Sequence, residues 1–160
     1  MDEQIRVYGP TYKDACIEAF RSNVPDFFTN DEVGDFERFL DRVDTAQADE
    51  RTYFYVVIVD DKVVGCGGFG DKDNTGEISL AWGLIHRDYH KMNYGRSLLK
   101  YRLSEIDRIY PKQPVFIDTT QFSYGFFEKY GFEVLKITPD HYAVGMHRYD
   151  MVRRNVSLGI

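Results

Sequence analysis

The sequence predicts an α/β (α+β) fold, with a central sheet of about seven strands flanked by about four helices. Two-residue and 3.6-residue apolar periods alternate in the order β-α-α-β-β-β-α-β-α-β-β. The middle of the chain holds three consecutive strand-like runs between short clusters of turn formers. The last of those runs passes through a polar turn with one glycine, Gly95, straight into a helical pattern. Strand, tight polar turn and helix is the layout of a phosphate-binding loop. The 160 residues suit one domain, so residues 1–160 are read as a single unit.

QIRVY, residues 4 to 8, alternates as a first strand, and Gly9-Pro10 breaks it. Thr11 is placed to cap a helix whose Ala15, Cys16, Ala19 and Phe20 share one face. NVPDFFTND is a loop with two exposed-looking phenylalanines, Phe27 and Phe28. A second helix starts at about Asp31, with Val33, Phe36, Leu40 and Val43 on one face. The polar stretch DTAQADERT is too short to separate domains. TYFYVVIV (52–59) and KVVGCGGFG (62–70) flank Asp60-Asp61 as a hairpin, and DKDNTG turns the chain into GEISLAWGLI. A helix from about Tyr94 to Ile109 directs Leu99, Leu103, Ile106 and Tyr110 inward, with Leu98 beside them. PVFIDT (114–119) is a short, nearly continuous apolar strand of the central kind. A helix of roughly Phe122 to Tyr130 follows, with Gly131 just past its end, where φ > 0 is wanted. FEVLKIT and HYAVGMHRYDM read as closing strands joined across Pro139-Asp140, and the tail RRNVSLGI carries no clear signal.

Composition narrows the partners. Hydrophobic residues make up 43% of the chain, enough for a sizeable core. A net charge of -6 argues against a non-specific nucleic-acid binder, which needs a basic face. It is compatible with a cationic substrate, although a mildly acidic surface also simply confers solubility. Cys16 and Cys66 have no zinc spacing and lie on apolar faces, as reduced core residues of a cytoplasmic protein do. MDEQIRVYG lacks the features of a signal peptide, and no apolar run approaches a membrane span. The expectation is a cytoplasmic protein with neither nucleic acid nor membrane as partner.

The segment HRDYHKMNYGRSLLKYRL bears the loop. A helix N-terminus offers unpaired N–H groups and the positive end of a dipole to an anion. Wrapping that anion needs a residue able to take φ > 0; Gly95 can, and so can Asn93. His90, Lys91 and Arg96 add positive charge or donors. An ordinary solvated connection would have much the same composition.

IHRDYHKMNYGRSLL resembles the acyl-CoA loop of the GNAT N-acetyltransferase superfamily, Val-x-Pro-x-x-Gln/Arg-x-x-Gly-x-Gly/Ala followed by a helix. Ile85 falls on the valine, His90 on the Gln/Arg, Asn93 on the first glycine and Gly95 on the second; Arg87 stands where proline is usual. SYGFFEKYGFEV resembles the C-terminal signature of the same family, Asn-x-x-Ala-x-x-Leu-Tyr-x-Lys-x-Gly-Phe. Phe126, Glu128, Lys129, Gly131 and Phe132 fit; Thr120 falls on the asparagine, Ser123 on the alanine and Phe127 on the tyrosine. The resemblance covers roughly residues 53 to 138.

The resemblance implies a mixed, mostly antiparallel sheet in which two parallel strands, GEISLAWGLI and PVFIDT, splay apart to form an acyl-CoA site. It implies transfer of an acetyl group from acetyl-CoA to a primary amine, of a small molecule or a protein, by direct attack in a ternary complex and without a metal. The pantetheine arm would pair near Leu84 and Ile85, and the pyrophosphate would sit on the backbone of Lys91, Met92, Asn93, Tyr94, Gly95 and Arg96. His90, Ser97 and Thr120 complete the expected cofactor contacts. Glu77 is the first candidate for the base that deprotonates the amine, and Asp118 the second. The signature tyrosine that protonates the leaving thiolate is replaced by Phe127, so Tyr124, one helical turn earlier, is the candidate acid. The acceptor would meet Asp26, Phe27 and Phe28, with Asp31, Glu32, His141, Tyr142, His147 and Tyr149 within reach. Pairing into a homodimer through sheet edges or the tail is compatible with the family. An acyl-CoA-binding sensor with weak or no catalysis is the alternative that the altered loop and the missing tyrosine motivate.

Overall fold

The computed structural model describes residues 3–45, 52–71 and 75–154. Most of the Asp44–Thr52 linker, the middle of the DKDNTG turn and most of the C-terminal tail lie outside the described residues. Seven strands form one sheet: β1 (Glu3–Val7), β2 (Thr52–Val59), β3 (Lys62–Gly70), β4 (Ile78–Ile85), β5 (Val115–Thr119), β6 (Phe132–Ala143) and β7 (Met146–Arg153). Their spatial order is β1-β2-β3-β4-β5-β7-β6. Every neighbouring pair is antiparallel except β4 with β5, which is parallel. Four α-helices pack on it: α1 (Lys13–Arg21), α2 (Asn30–Asp44), α3 (Tyr94–Ile109) and α4 (Tyr124–Glu128).

Both faces of β2 are covered, which is why it is an unbroken apolar run rather than an alternating one. Its Phe54, Val56 and Ile58 join Cys16, Ala19 and Phe20 of α1 and Phe36, Phe39 and Leu40 of α2. Its Tyr55 packs on the opposite face with Leu99, Leu103 and Ile106 of α3, and Val57 and Val59 pack there with Tyr94 and Leu98. Helices α1 and α2 therefore cover one face, and α3 and α4 the other.

Several local expectations change. Thr11 does not cap α1. Pro10 starts a short 3-10 turn, Pro10–Tyr12, so the chain is already helical before α1 begins. The second helix begins one residue earlier than expected because Thr29 caps it: Thr29 Oγ1 accepts from Glu32 N–H, and Glu32 Oε1 accepts from Thr29 N–H at 2.9 Å. The closing strands do not part at Pro139-Asp140. β6 runs through both residues as an edge strand, where a proline sacrifices no ladder bond, and Asp140 (φ 53) lies in an irregular stretch of the pairing. The hairpin turns instead at Val144-Gly145, with Gly145 at φ +80. Gly131 takes φ +92, as expected, after a helix shorter than its pattern suggested. No helix among the described residues is long and apolar enough to cross a membrane.

Candidate active site

Strands β4 and β5 pair only at Ile78 with Val115 and at Ser79 with Phe116. Beyond Ser79 they diverge, leaving the β5-facing edge of β4 open from Leu80 to Ile85. A β-bulge lies in that open half: Trp82 and Gly83 together oppose Gly67, and Trp82 has φ 48. The extra residue inverts the side-chain alternation. Leu80, before the bulge, packs with α3 and α4; Trp82 and Leu84 pack with α1 and α2. Trp82 rests against Phe20, Phe36 and Phe39, at centroid distances of 5.4–6.2 Å.

The β4–α3 connection closes one end of the opening. A short 3-10 turn, Arg87–Tyr89, is followed by Lys91 at φ 64 and by Asn93 at φ 67, ψ 11, both left-handed. Gly95 does not take φ > 0. It lies in the first turn of α3, where an added Cβ would meet only Ile85 Cγ1 at 3.8 Å. The left-handed residue is therefore the asparagine, which tolerates that region better than other side chains because it is short and polar. Ser97 N–H donates to Asn93 O at 3.1 Å, so the N–H groups of Gly95 and Arg96, two and one residues nearer the helix start, have no intrahelical acceptor. His90 Nε2 bonds Ile85 O at 2.9 Å and ties the loop to the end of β4. Asn23 Nδ2 donates to the same carbonyl at 2.9 Å and to Ala19 O at 3.0 Å.

The splay opens into a cleft of about 1140 Å³ that reaches both faces of the sheet. One lip, where the resemblance expects the acyl donor (the donor lip), is the loop with the start of α3, including His90, Lys91, Asn93, Gly95 and Arg96. The other, where the acceptor is expected (the acceptor lip), carries Asn23, Phe27, Phe28, Glu32, Asp118 and Tyr142. Tyr142 O–H donates to Asp118 Oδ2 at 2.6 Å. Burial first, and then the Asp118 carboxylate, push the Tyr142 hydroxyl well above its ordinary range, so it stays protonated and remains the donor. Arg148, also on the cleft, pairs with Asp150 at 2.9 Å. Two buried polar atoms belonging to cleft residues have no hydrogen-bond partner among the described residues: Asn23 Oδ1 and Arg102 Nε.

A family model described as acetyltransferase (GNAT) domain matches residues 24–154. The chain is a member of the GNAT acetyltransferase family. Solved structures agree on the fold. A protein of the GNAT family from Desulfovibrio desulfuricans superposes with a TM-score of 0.80 at 19% identity, covering 96% of this chain and 99% of its own. The ribosomal-protein-S18-alanine N-acetyltransferase of Escherichia coli gives 0.76 at 14% identity, covering 96% and 94%. An aminoglycoside 6'-N-acetyltransferase complexed with coenzyme A gives 0.71 at 14% identity, covering 94% and 96%. No curated protein matches the sequence significantly.

Within this GNAT domain most of the expected donor residues gather on the cleft: Leu84, Ile85, His90, Lys91, Asn93, Tyr94, Gly95, Arg96 and Thr120. Met92 and Ser97 do not line it; Met92 is exposed, and Ser97 Oγ turns back to Asn93 O. Phe27 and Phe28 line it and are half-buried rather than free. Phe28 stacks on Phe20 at 4.4 Å, while Phe27 meets His90 at 5.5 Å and Phe122 at 5.9 Å, edge to face. Asp26 lies off the cleft, paired with Arg87 at 2.5 Å. Glu77 is exposed just before β4, and Tyr124 stacks on Tyr149 at 4.4 Å; neither lines the cleft, whereas Asp118 does. Asn23, Trp82 and Arg102 escaped the sequence reading. Each looks like an ordinary loop, core or helix residue until the bulge and the splay bring it to the cleft.

Proposed function

We propose that this GNAT domain transfers an acetyl group from acetyl-CoA to an amine, by direct attack while both reactants occupy the cleft. The observation that carries the reading is the divergence of β4 from β5 after two paired residues, because it joins a loop suited to phosphate to an acid-bearing pocket on the other face. The residues present fit the donor. The unpaired amides of Gly95 and Arg96 suit a pyrophosphate, the open edge of β4 suits an amide-bearing arm, and Asn23 Oδ1 is an acceptor awaiting an N–H donor.

In this reading Asp118 is the base. Its carboxylate is oriented by Tyr142 O–H and has spare acceptor capacity for an amine proton. The amine nitrogen forms the new C–N bond, the C–S bond breaks, and the departing thiolate is protonated by water, which regains a proton from Asp118. The acid and base first expected, Tyr124 and Glu77, would need to reach the cleft for either role. The neighbour solved with coenzyme A, an aminoglycoside acetyltransferase, supports the donor by analogy, and the S18-alanine enzyme supports an amine acceptor.

Thermal unfolding with acetyl-CoA, and with AMP as control, tests the donor. Ligand at 100 times Kd should add about 2.7 kcal/mol, a rise of roughly 5–11 °C. Release of CoA across a panel of amines tests catalysis. A shift without release from any amine would leave an acyl-CoA-binding module; no shift at saturating concentration would remove the reading.

A further inference from the structure

Arg102 lies on the inward face of α3, beside Leu98, Leu99, Leu103 and Ile106, and is 3% exposed. The apolar repeat of this face would place a leucine there as readily. Two glycines make room for the guanidinium. A Cβ on Gly83 would come within 2.7 Å of Arg102 Nη2, and a Cβ on Gly67 within 3.3 Å of its Cζ. The guanidinium therefore lies against the β4 bulge, at the cleft.

Its bonding is incomplete. Nη1 donates to Gly68 O at 3.2 Å, and Nε is buried with no partner among the described residues. Among the described residues no carboxylate pairs with it. Burial pulls its pKa down to about 10, which leaves it charged at neutral pH. The buried Cys66 thiol on β3 is pushed upward by desolvation, stays neutral and supplies no counter-charge. A buried cation with unused donors is costly to keep unless an anion completes it, and a planar fork of N–H groups matches a carboxylate.

We infer that Arg102 is an anion subsite at the inner end of the cleft, and that it receives the carboxylate of a carboxyl-bearing acyl thioester. Position separates this anion from the phosphates. Arg102 is eight residues beyond Tyr94, about 12 Å along the axis of α3 from the end that faces the loop. Position also favours the donor over the acceptor as its source, since Arg102 belongs to the α3 face whereas Asp118 and Tyr142 belong to the acceptor lip. The inference rests on the acyl-CoA reading of the cleft, and it replaces acetyl with a carboxyl-bearing acyl group as the preferred cargo.

Calorimetric titration with three thioesters tests it: acetyl-CoA, butanoyl-CoA and 3-carboxypropanoyl-CoA. The last two match in chain length and differ in charge. Wild-type protein should bind the carboxylated thioester roughly tenfold more tightly than butanoyl-CoA, or better. Arg102→Met should bring that ratio to about one, and Arg102→Lys should keep part of it, since charge remains without the fork. A wild-type ratio near one, with acetyl-CoA binding intact, overturns the inference and leaves the acetyl-transfer reading standing. So does a ratio that survives in Arg102→Met. Should that variant fail to fold, Arg102→Lys decides, and a ratio there unchanged from wild type overturns the inference. A second arm compares phenylalanine with phenylalaninamide as acceptors alongside acetyl-CoA. An Arg102-dependent preference for the acid there, with no preference among thioesters, would overturn the donor as the source. Failure of all three thioesters to bind would remove the acyl-CoA reading and this inference together.

Discussion

The donor lip of the cleft is one continuous segment, Ile85 to Arg96, whereas the acceptor lip gathers Asn23 and Phe27 from the α1–α2 loop, Asp118 from β5 and Tyr142 from the last hairpin. Within itself the donor lip is shaped by local bonds, Asp88 N–H to His86 Nδ1, His90 to Ile85 O and Ser97 N–H to Asn93 O, and it is tied to the α1–α2 loop through Asn23 Nδ2 to Ile85 O and Arg87 to Ser22 and Asp26. The acceptor lip is held by contacts between segments far apart in the chain. Phe20 stacks on Phe28 and Phe36, and Tyr142 bonds Asp118 across 24 residues. Local loops can vary with little effect on stability; a lip assembled from distant segments depends on the packing beneath it.

That contrast can be broken by substitution. Phe20→Ala removes a fully buried ring under the acceptor lip and should cost about 3–5 kcal/mol in urea unfolding. A cost no larger than that of a donor-lip substitution would erase the contrast. Asp118→Asn should lower kcat by about 10² to 10⁴ and leave acetyl-CoA binding nearly unchanged, in steady-state kinetics and titration. An unaltered kcat would move the base elsewhere.

Tyr142→Phe should cost about 1.5–3 kcal/mol, because its hydroxyl bonds an ionised carboxylate. It should also flatten the alkaline loss of stability. Tyr8, Tyr55 and Tyr142 all have folded-state pKa values raised chiefly by burial. Above the unfolded tyrosine pKa of about 10, the unfolded chain releases protons that the folded chain keeps, so stability falls as pH rises. Unfolding midpoints recorded from pH 9 to pH 12 should fall less steeply in the variant than in the wild type.

The donor lip should answer in affinity rather than stability. Gly95→Ala fits the fold, since its Cβ meets Ile85 Cγ1 at an ordinary 3.8 Å; it should weaken acetyl-CoA roughly tenfold by standing between the α3 amides and phosphate. Smallest of all, Asn93→Gly should change the unfolding free energy by about 0.5 kcal/mol or less, because glycine accepts the left-handed conformation at least as well. A large loss there would show that the Asn93 side chain, and not its backbone angle, is what the loop requires.

The asymmetry between the lips also explains which residues were legible. Ile85, His90, Asn93 and Gly95 sit at fixed offsets in a strand–turn–helix unit whose geometry is set within about twelve residues, so the resemblance to the acyl-CoA loop could be matched to them along the chain. Asp118 could be named as the end of a central strand, but preferring it to Glu77 required the position of the opening relative to each. Arg102 was hidden because its spacing is that of an ordinary inward helix position, and only a bulge on a strand two elements away in the sheet face shows why a charge is kept there.

By itself the sequence determined the number, order and type of the strands and α-helices, the central place of PVFIDT, and the strand–turn–helix unit that the resemblance picks out. Periodicity, turn chemistry and helix termini act over one or two turns of chain, and those distances can be read along a line. Tertiary structure alone decided where β4 leaves β5, how the bulge at Trp82-Gly83 redirects the side chains after it, and which carboxylate, amide and guanidinium share the cleft. These depend on strand register and on packing between segments brought together only by the completed sheet, and a one-residue shift in register would exchange every side chain between its two faces.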